Sequence, residues 1–353
     1  MNDKIRNLRE RLKALNLEGM IVSNPVSIKY LTNIEAEGTL LITRRENVYI
    51  TYPMYLENVK STLTINDEVI VVSSRDVSKE DYENFFIFCE NVGFEENYVT
   101  YENYKNLKHI YKAHNLVETE GIVEKLREVK DEEEIENIKK ACEITDKCFS
   151  HLLEFIKIGM TEKEIAFEIE MFFRKNGAEG LAFDTIVAIG ENASNPHWKP
   201  GDREVRNTDP ILIDMGCKYN GYCSDMSRTI FMGCILEKYK PAYDLILKNQ
   251  LLAQREMKEY ASIKTISQIV ESDFKLNHFT LIHGLGHGVG LEIHERPFLS
   301  PKNDTFLKEN MVITNEPGIY IPGEYGIRIE DTLLITKNGS ITLTNSAKNY
   351  TVI

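Results

Sequence analysis

The chain has 353 residues, 42% of them apolar and 27% charged, and carries a formal net charge of −13 at pH 7. That length exceeds one ordinary compact core and implies two domains, while the apolar content excludes a disordered chain. The acidic balance argues against a nucleic-acid partner, which needs clustered Lys and Arg, and no apolar run approaches the roughly 20 residues that span a bilayer, so no membrane partner is expected.

The first ten residues hold no apolar core of signal-peptide length. The six cysteines form no CxxC pair. Both point to a reduced, cytoplasmic protein. Ile5, Leu8, Leu12 and Leu15 recur at helical spacing over 4–17. Met20-Ile21-Val22-Ser23 reads as a short buried strand. Thr39-Leu40-Leu41-Ile42-Thr43 and Val48-Tyr49-Ile50-Thr51, separated by a polar turn, predict a hairpin. Val69-Ile70-Val71-Val72 is another strand, and a helix is expected over 78–92. This alternation predicts a small α/β domain over residues 1–122, without a Gly-rich phosphate loop. Charge concentrates near 119–131, where the connection is placed, and the second domain takes residues 123–353.

Asp131 with Glu134, and Thr161 with Glu164, are capping-box patterns. The first opens a helix with Ile135, Ile138, Cys142, Phe149, Leu152 and Ile156 on one face. The second opens a helix that runs through Ile165, Ile169 and Phe172 and stops at Asn176-Gly177. From about residue 181 strands dominate, with helices near 238–259 and 264–275. The overall class is α+β.

Four segments carry chemistry. Ile211-Leu212-Ile213-Asp214 and Ser224-Asp225-Met226-Ser227 flank Asn220-Gly221, a strong hairpin signal. With Asn220 and Gly221 as the turn, Tyr219 faces Tyr222, Asp214 faces Ser227 and Asp225 faces Gly216. Asp214 and Asp225 then share a face as diagonal neighbours, roughly 7–8 Å apart. A buried unpaired carboxylate is costly, so this pair needs a cation or several donors. In His283-Gly284-Leu285-Gly286-His287-Gly288-Val289-Gly290, glycine at every second position disfavours a helix and lets the backbone pass close to a neighbour. His294 follows. Met311-Val312-Ile313-Thr314-Asn315-Glu316-Pro317-Gly318 reads as a strand that ends in a glutamate and turns. Arg328 and Glu330 alternate with Ile327 and Ile329 and so share a sheet face. Four carboxylates and one imidazole form a hard, oxygen-rich set. It suits two divalent ions such as Mn, Co, Fe or Zn, whose charge of +4 balances four carboxylates.

These motifs, in this order, resemble the pita-bread metallopeptidases, and specifically the Xaa-Pro peptidases (prolidase and aminopeptidase P). The resemblance is strong over 120–353. Over the first 120 residues it rests on length and strand–helix pattern. It implies a pita-bread (creatinase/aminopeptidase) fold behind a smaller α/β domain. It also implies Asp214 bidentate on one metal, Asp225 and Glu330 bridging, and His287 and Glu316 completing the second site. His197, next to the only tryptophan, Trp198, joins His283 and His294 around the substrate. Trp198 itself reads as pocket or core packing. Arg328 matches an arginine that orients a bridging carboxylate. The implied reaction is attack of a metal-bridging hydroxide on the carbonyl before proline, with Glu316 shuttling the proton and His294 and His197 stabilising the intermediate. Mn is the implied metal, a proline-containing peptide the substrate and a homodimer the assembly. Asn315, where the family more often has an apolar residue, is a departure. The shortness of the chain leans toward a dipeptidase over an aminopeptidase P acting on longer peptides. Methionine aminopeptidases lack the front domain. Creatinase-like enzymes and metal-free binding modules of the same fold lack the five acidic and histidine ligands present here.

Overall fold

The computed structural model describes residues 3–62 and 69–353. Met1 and Asn2, at the start of the segment read for a leader, lie outside them. The chain divides into two compact units, Met1–Arg127 and Glu128–Ile353.

The first unit opens with α1 (Asp3–Ala14), which buries Ile5, Leu8 and Leu12. Leu15 is exposed, because the chain leaves the helix through Asn16 at a left-handed φ of 57°. Strands β1 (Gly19–Val22), β2 (Gly38–Thr43), β3 (Asn47–Thr51), β4 (Val69–Ser73), β5 (Asn91–Phe94) and β6 (Asn115–Glu118) form one sheet in the order β4-β3-β2-β1-β5-β6. The predicted hairpin is β2–β3. Helices α2 (Pro25–Thr32), α3 (Leu56–Thr62), α4 (Lys79–Asn84), α5 (Tyr101–Tyr111) and α6 (Ile122–Arg127) complete the unit. The helix expected over 78–92 stops at Asn84. Beyond it Val92 and Phe94 are buried in a strand that pairs with both β1 and β6, and this pairing overrides local helical preference.

The second unit begins with α7 (Glu132–Phe155) and α8 (Glu162–Lys175), each opened by its predicted capping box. The predicted face of α7 is buried. In α8 it is Phe173, next to the predicted Phe172, that is fully buried. Strands β7 (Gly180–Leu181), β8 (Ile186–Ile189), β9 (Pro210–Met215), β10 (Cys217–Tyr219), β11 (Tyr222–Cys223) and β12 (Met226–Phe231) follow. They make sheets β12-β9-β8 and β11-β10-β7. After α9 (Lys240–Glu256) and α10 (Ile263–Leu276) come β13 (Gly286–Gly288), β14 (Glu295–Leu299), β15 (Val312–Asn315), β16 (Gly318–Ile321), β17 (Tyr325–Arg328), β18 (Asp331–Thr336) and β19 (Gly339–Thr342). These form a five-stranded sheet, β14-β13-β15-β18-β19, and the ladder β16-β17. One apolar core lies between α7, α8 and the β12-β9-β8 sheet; a second lies between α9, α10 and the later strands. Each sheet is thus backed by a helix pair, which leaves the opposite faces to build a site. Among the described residues no helix is long and apolar enough to cross a membrane.

Candidate metal centre

The hairpin from β9 to β12 turns at Asn220 (φ 48°) and Gly221 (φ 79°), the left-handed pair that a two-residue type I′ turn requires. Tyr219 pairs with Tyr222, Lys218 with Cys223 and Asp214 with Ser227, so the register counted from the turn runs without a slip. Asp214 and Asp225 are both buried.

On the second sheet, His287 sits in β13 between two glycines. A Cβ on Gly286 would lie 2.2 Å from the Thr314 carbonyl oxygen, so only glycine allows β13 to approach β15 this closely. Thr314 Oγ1 accepts from the His287 backbone N–H at 3.0 Å and donates to Glu316 Oε1 at 3.2 Å, which fixes one residue against the other. Glu330 lies between β17 and β18, and its Oε2 accepts from Ser227 Oγ at 2.7 Å.

All five side chains line one cavity of about 610 Å³. Ligand-capable atoms of Asp225, His287 and Glu330 lie within 4.8 Å of one another. His287 Nε2 is 3.3 Å from Glu316 Oε1 and 3.6 Å from Asp225 Oδ2. Its Nδ1 is 3.1 Å from the Gly288 carbonyl oxygen, which can only accept, so Nδ1 carries a proton. Burial disfavours a second proton on the ring, but the hydrogen bond and charge of Glu316 outweigh it and raise His287 above the ordinary imidazole range, so a positive charge at Nε2, a proton or a metal cation, offsets the two carboxylates it faces. Asp214 Oδ1 is buried with no hydrogen-bond partner. Three buried carboxylates and the half-buried Glu316 face one guanidinium, and the excess negative charge is costly in a desolvated site. Oxygen-rich donors with one imidazole fit divalent cations.

The titration of the group follows from the same crowding. Burial pushes the carboxyls of Asp225 and Glu330 well above the ordinary range, and neighbouring carboxylates push the same way. Burial also raises Asp214, against the pull of Arg328. For Glu316 burial is outweighed by the hydrogen bond and charge of the protonated His287, with Arg328, which bring it down to about 2.

Arg328 ties the group together. Its Nη2 donates to Asp214 Oδ2 at 2.6 Å, its Nε to Ser227 Oγ at 2.7 Å and its Nη1 to the Tyr320 hydroxyl at 2.6 Å. It thus grips Asp214 directly and reaches Glu330 through Ser227. The ion pair is with Asp214, across the two sheets, and not with Glu330 two residues along. His283 donates from Nδ1 to the Gly284 carbonyl at 2.8 Å, and its Nε2 lies 3.1 Å from the Tyr320 hydroxyl, which donates to it. The His294 ring stands edge-on to His287 with centroids 4.4 Å apart. Burial lowers both His283 and His294 and favours neutral imidazoles. His197 reaches the cavity from a loop, where Asn195 Oδ1 accepts its backbone N–H at 3.1 Å. Trp198 lines the cavity and donates from Nε1 to Glu162 Oε2 at 2.8 Å. Sequence reasoning gave no role to Ser227, Tyr320 or Glu162. Only Ser227 left a signal, its place opposite Asp214 in the hairpin.

Residues 136–337 match the model of metallopeptidase family M24, and residues 4–129 match the creatinase/prolidase N-terminal domain. The chain belongs to metallopeptidase family M24. It is 35% identical over 352 residues to the Xaa-Pro dipeptidase of Pyrococcus furiosus, with 99% of both chains covered. The structure of an Xaa-Pro dipeptidase from Bacillus anthracis matches with a TM-score of 0.94 at 33% identity, over 99% of both chains. That of an X-Pro aminopeptidase from Thermotoga maritima matches with a TM-score of 0.88 at 32% identity, over 98% of this chain and 100% of the other. The fold is therefore the expected one, a pita-bread catalytic domain behind a creatinase-type domain. Membership makes the chain a metallopeptidase, an enzyme class that works with divalent metal ions.

Proposed function

We propose that this metallopeptidase hydrolyses the bond before proline in Xaa-Pro dipeptides and short peptides, with two divalent ions held by Asp214, Asp225, His287, Glu316 and Glu330. The observation that carries this reading is the convergence of these five side chains on one cavity wall, with His287 Nε2 turned toward two of the carboxylates. The proline preference is supported by the names of the relatives. Bound there, such ions activate water near neutral pH and polarise the scissile carbonyl.

The chain's own residues supply the rest. Glu316 takes the proton of the attacking water and passes it to the leaving proline nitrogen. His197 and His294 offer imidazoles to the carbonyl oxygen as charge develops on it. His283 has both nitrogens engaged, so we assign it to holding Tyr320, and through Tyr320 the guanidinium of Arg328. Lys199 lines the same cavity and makes no ion pair among the described residues. Its ammonium suits the free carboxylate of a dipeptide, which supports the dipeptidase over the aminopeptidase. Mn as the resident ion and a homodimer are carried by the resemblance. A cytoplasmic location agrees with six free thiols, five of them buried.

The deciding experiment measures hydrolysis of an Xaa-Pro dipeptide, an Xaa-Pro-Yaa tripeptide and an Xaa-Ala control before chelation, after chelation, and with Mn restored. Loss and recovery with the metal, confined to proline substrates, is the expected outcome. Undiminished turnover after chelation sinks the metal reading, and equal rates on Xaa-Ala sink the proline preference. Glu316→Gln, assayed with its metal content measured, is expected to lose turnover; a metal-loaded, fully active variant removes Glu316 from proton transfer.

A further inference from the structure

Glu162 is the first residue of α8, and its side chain is completely buried. Among the described residues no Lys, Arg or His forms an ion pair with it. All four of its acceptor positions are taken by neutral N–H groups instead. Oε1 accepts from the Ile189 backbone and from Asn192 Nδ2, both at 2.9 Å. Oε2 accepts from Trp198 Nε1 and from the Gly201 backbone, both at 2.8 Å. The helix N-terminus beneath it favours the negative charge.

These donors come from three places: the end of β8, the turn at 190–194, and the loop 195–201. That loop forms part of the cavity wall and carries His197, Trp198 and Lys199 into it. The other bonds of the loop are to single carbonyls or short-range: Lys163 N donates to Gly201 O at 3.2 Å, Arg328 Nη1 to Pro196 O at 3.5 Å, Asn195 N to Asn192 O at 3.1 Å, Trp198 N to Asn195 O at 3.2 Å and His197 N to Asn195 Oδ1 at 3.1 Å, so among the described residues Glu162 is the one side chain that takes two donors from the loop. Only a carboxylate can accept from four donors at once; a glutamine would turn its own N–H₂ toward two of them. The burial of a charge here, with hydrogen bonds to charge that are stronger than neutral ones, is explained by the need to hold several backbone turns with one side chain.

We propose that Glu162 is a positioning residue, a carboxylate buckle that sets the 195–201 loop against β8 and so holds His197 and the Trp198 wall in the substrate cavity. The effect on turnover rests on the peptidase reading above; the placement of the loop does not.

Trp198 is the only tryptophan, so its fluorescence reports on the loop alone. The test compares metal-loaded wild type with Glu162→Gln, Glu162→Asp and Asn192→Ala, the last removing one of the four bonds. Acrylamide quenching of Trp198 is expected to rise about two-fold or more in Glu162→Gln, with metal content unchanged. Turnover of an Xaa-Pro dipeptide should fall about 10- to 100-fold, the scale of a small misplacement in a site. Glu162→Asp should recover part of both, and Asn192→Ala should show a smaller rise in quenching. Unchanged quenching in Glu162→Gln and Asn192→Ala overturns the proposal. So does loss of metal and of melting temperature with turnover lost in proportion, which is the signature of a plain core anchor. If Glu162→Gln does not fold, Asn192→Ala decides by the same quenching readout. A wild type inactive on every Xaa-Pro peptide, with quenching raised in the variants, removes the substrate reading and leaves the buckle standing.

Discussion

Arg328 uses three nitrogens on three different partners, Asp214, Ser227 and Tyr320, all buried. A lysine would bring one point charge in place of this fork. Arg328→Lys is therefore expected to weaken metal binding about 10- to 100-fold, the usual scale for partners behind the ligands, as read by calorimetric titration of metal-free protein. Unchanged affinity would reduce Arg328 to charge balance. Lys199→Met should raise KM for Xaa-Pro dipeptides and leave KM for their C-terminal amides unmoved; equal effects on both would remove Lys199 from carboxylate binding. The carboxyls also set a pH dependence. Asp225 and Glu330 are raised on folding, so each stabilises the metal-free protein at low pH, and that contribution is lost as pH rises through the folded-state value. Glu316 is lowered on folding, and its stabilisation is already in place above the ordinary carboxylate range. Between about pH 5 and 8 the raised pair governs. The metal-free protein should be more stable near the acid end of that window. Metal uptake should release protons, counted by titration in buffers of different ionisation enthalpy. Uptake without proton release would contradict the raised carboxyls. The five proposed ligands stood out in sequence because each sits in a locally unusual setting, such as a carboxylate after three apolar residues. Ser227 reaches Glu330 across 103 residues and Glu162 reaches Trp198 across 36, and no local pattern reports such distances.

Helix starts and the Asp214–Asp225 hairpin were readable for the same reason: caps and two-residue turns are decided by a few adjacent residues. Strand β5 was not, since Asn91–Phe94 becomes a strand only when β1 and β6 flank it. The glycine-spaced histidine segment falls between these cases. Its spacing excluded a helix, but the partner that demanded the glycines, the Thr314 carbonyl, came only with the sheet. Gly286→Ala should push β13 off β15 at a cost of about 1–3 kcal/mol, the range for overpacking a tight site. Because His287 rides on β13 next to that contact, turnover and metal affinity should fall along with stability. Denaturant melts paired with metal titration check this. A variant with wild-type affinity and turnover would show that the neighbouring strand yields easily.

At the scale of the whole molecule, the cavity is lined wholly by residues between Phe183 and Glu330, so only the second unit contributes to it among the described residues. Within that unit the carboxylates and imidazole come from two sheets, each backed by its own helices and its own apolar core. Like charges gathered where the sheets meet work against their closing, and cations placed there join the sheets. Metal should therefore stabilise residues 128–353 as a unit. A ligand present at 100 times its Kd contributes about 2.7 kcal/mol, which for a domain of that size is about 5–10 °C in Tm. The location of the effect is the sharper test. Hydrogen exchange on metal-free and metal-loaded protein should show protection gained in β9, β12, β13 and β15, with β1 to β3 of the first unit unchanged. Protection gained equally in both units would mean that the metal acts through the chain as a whole and not by closing the two sheets on each other.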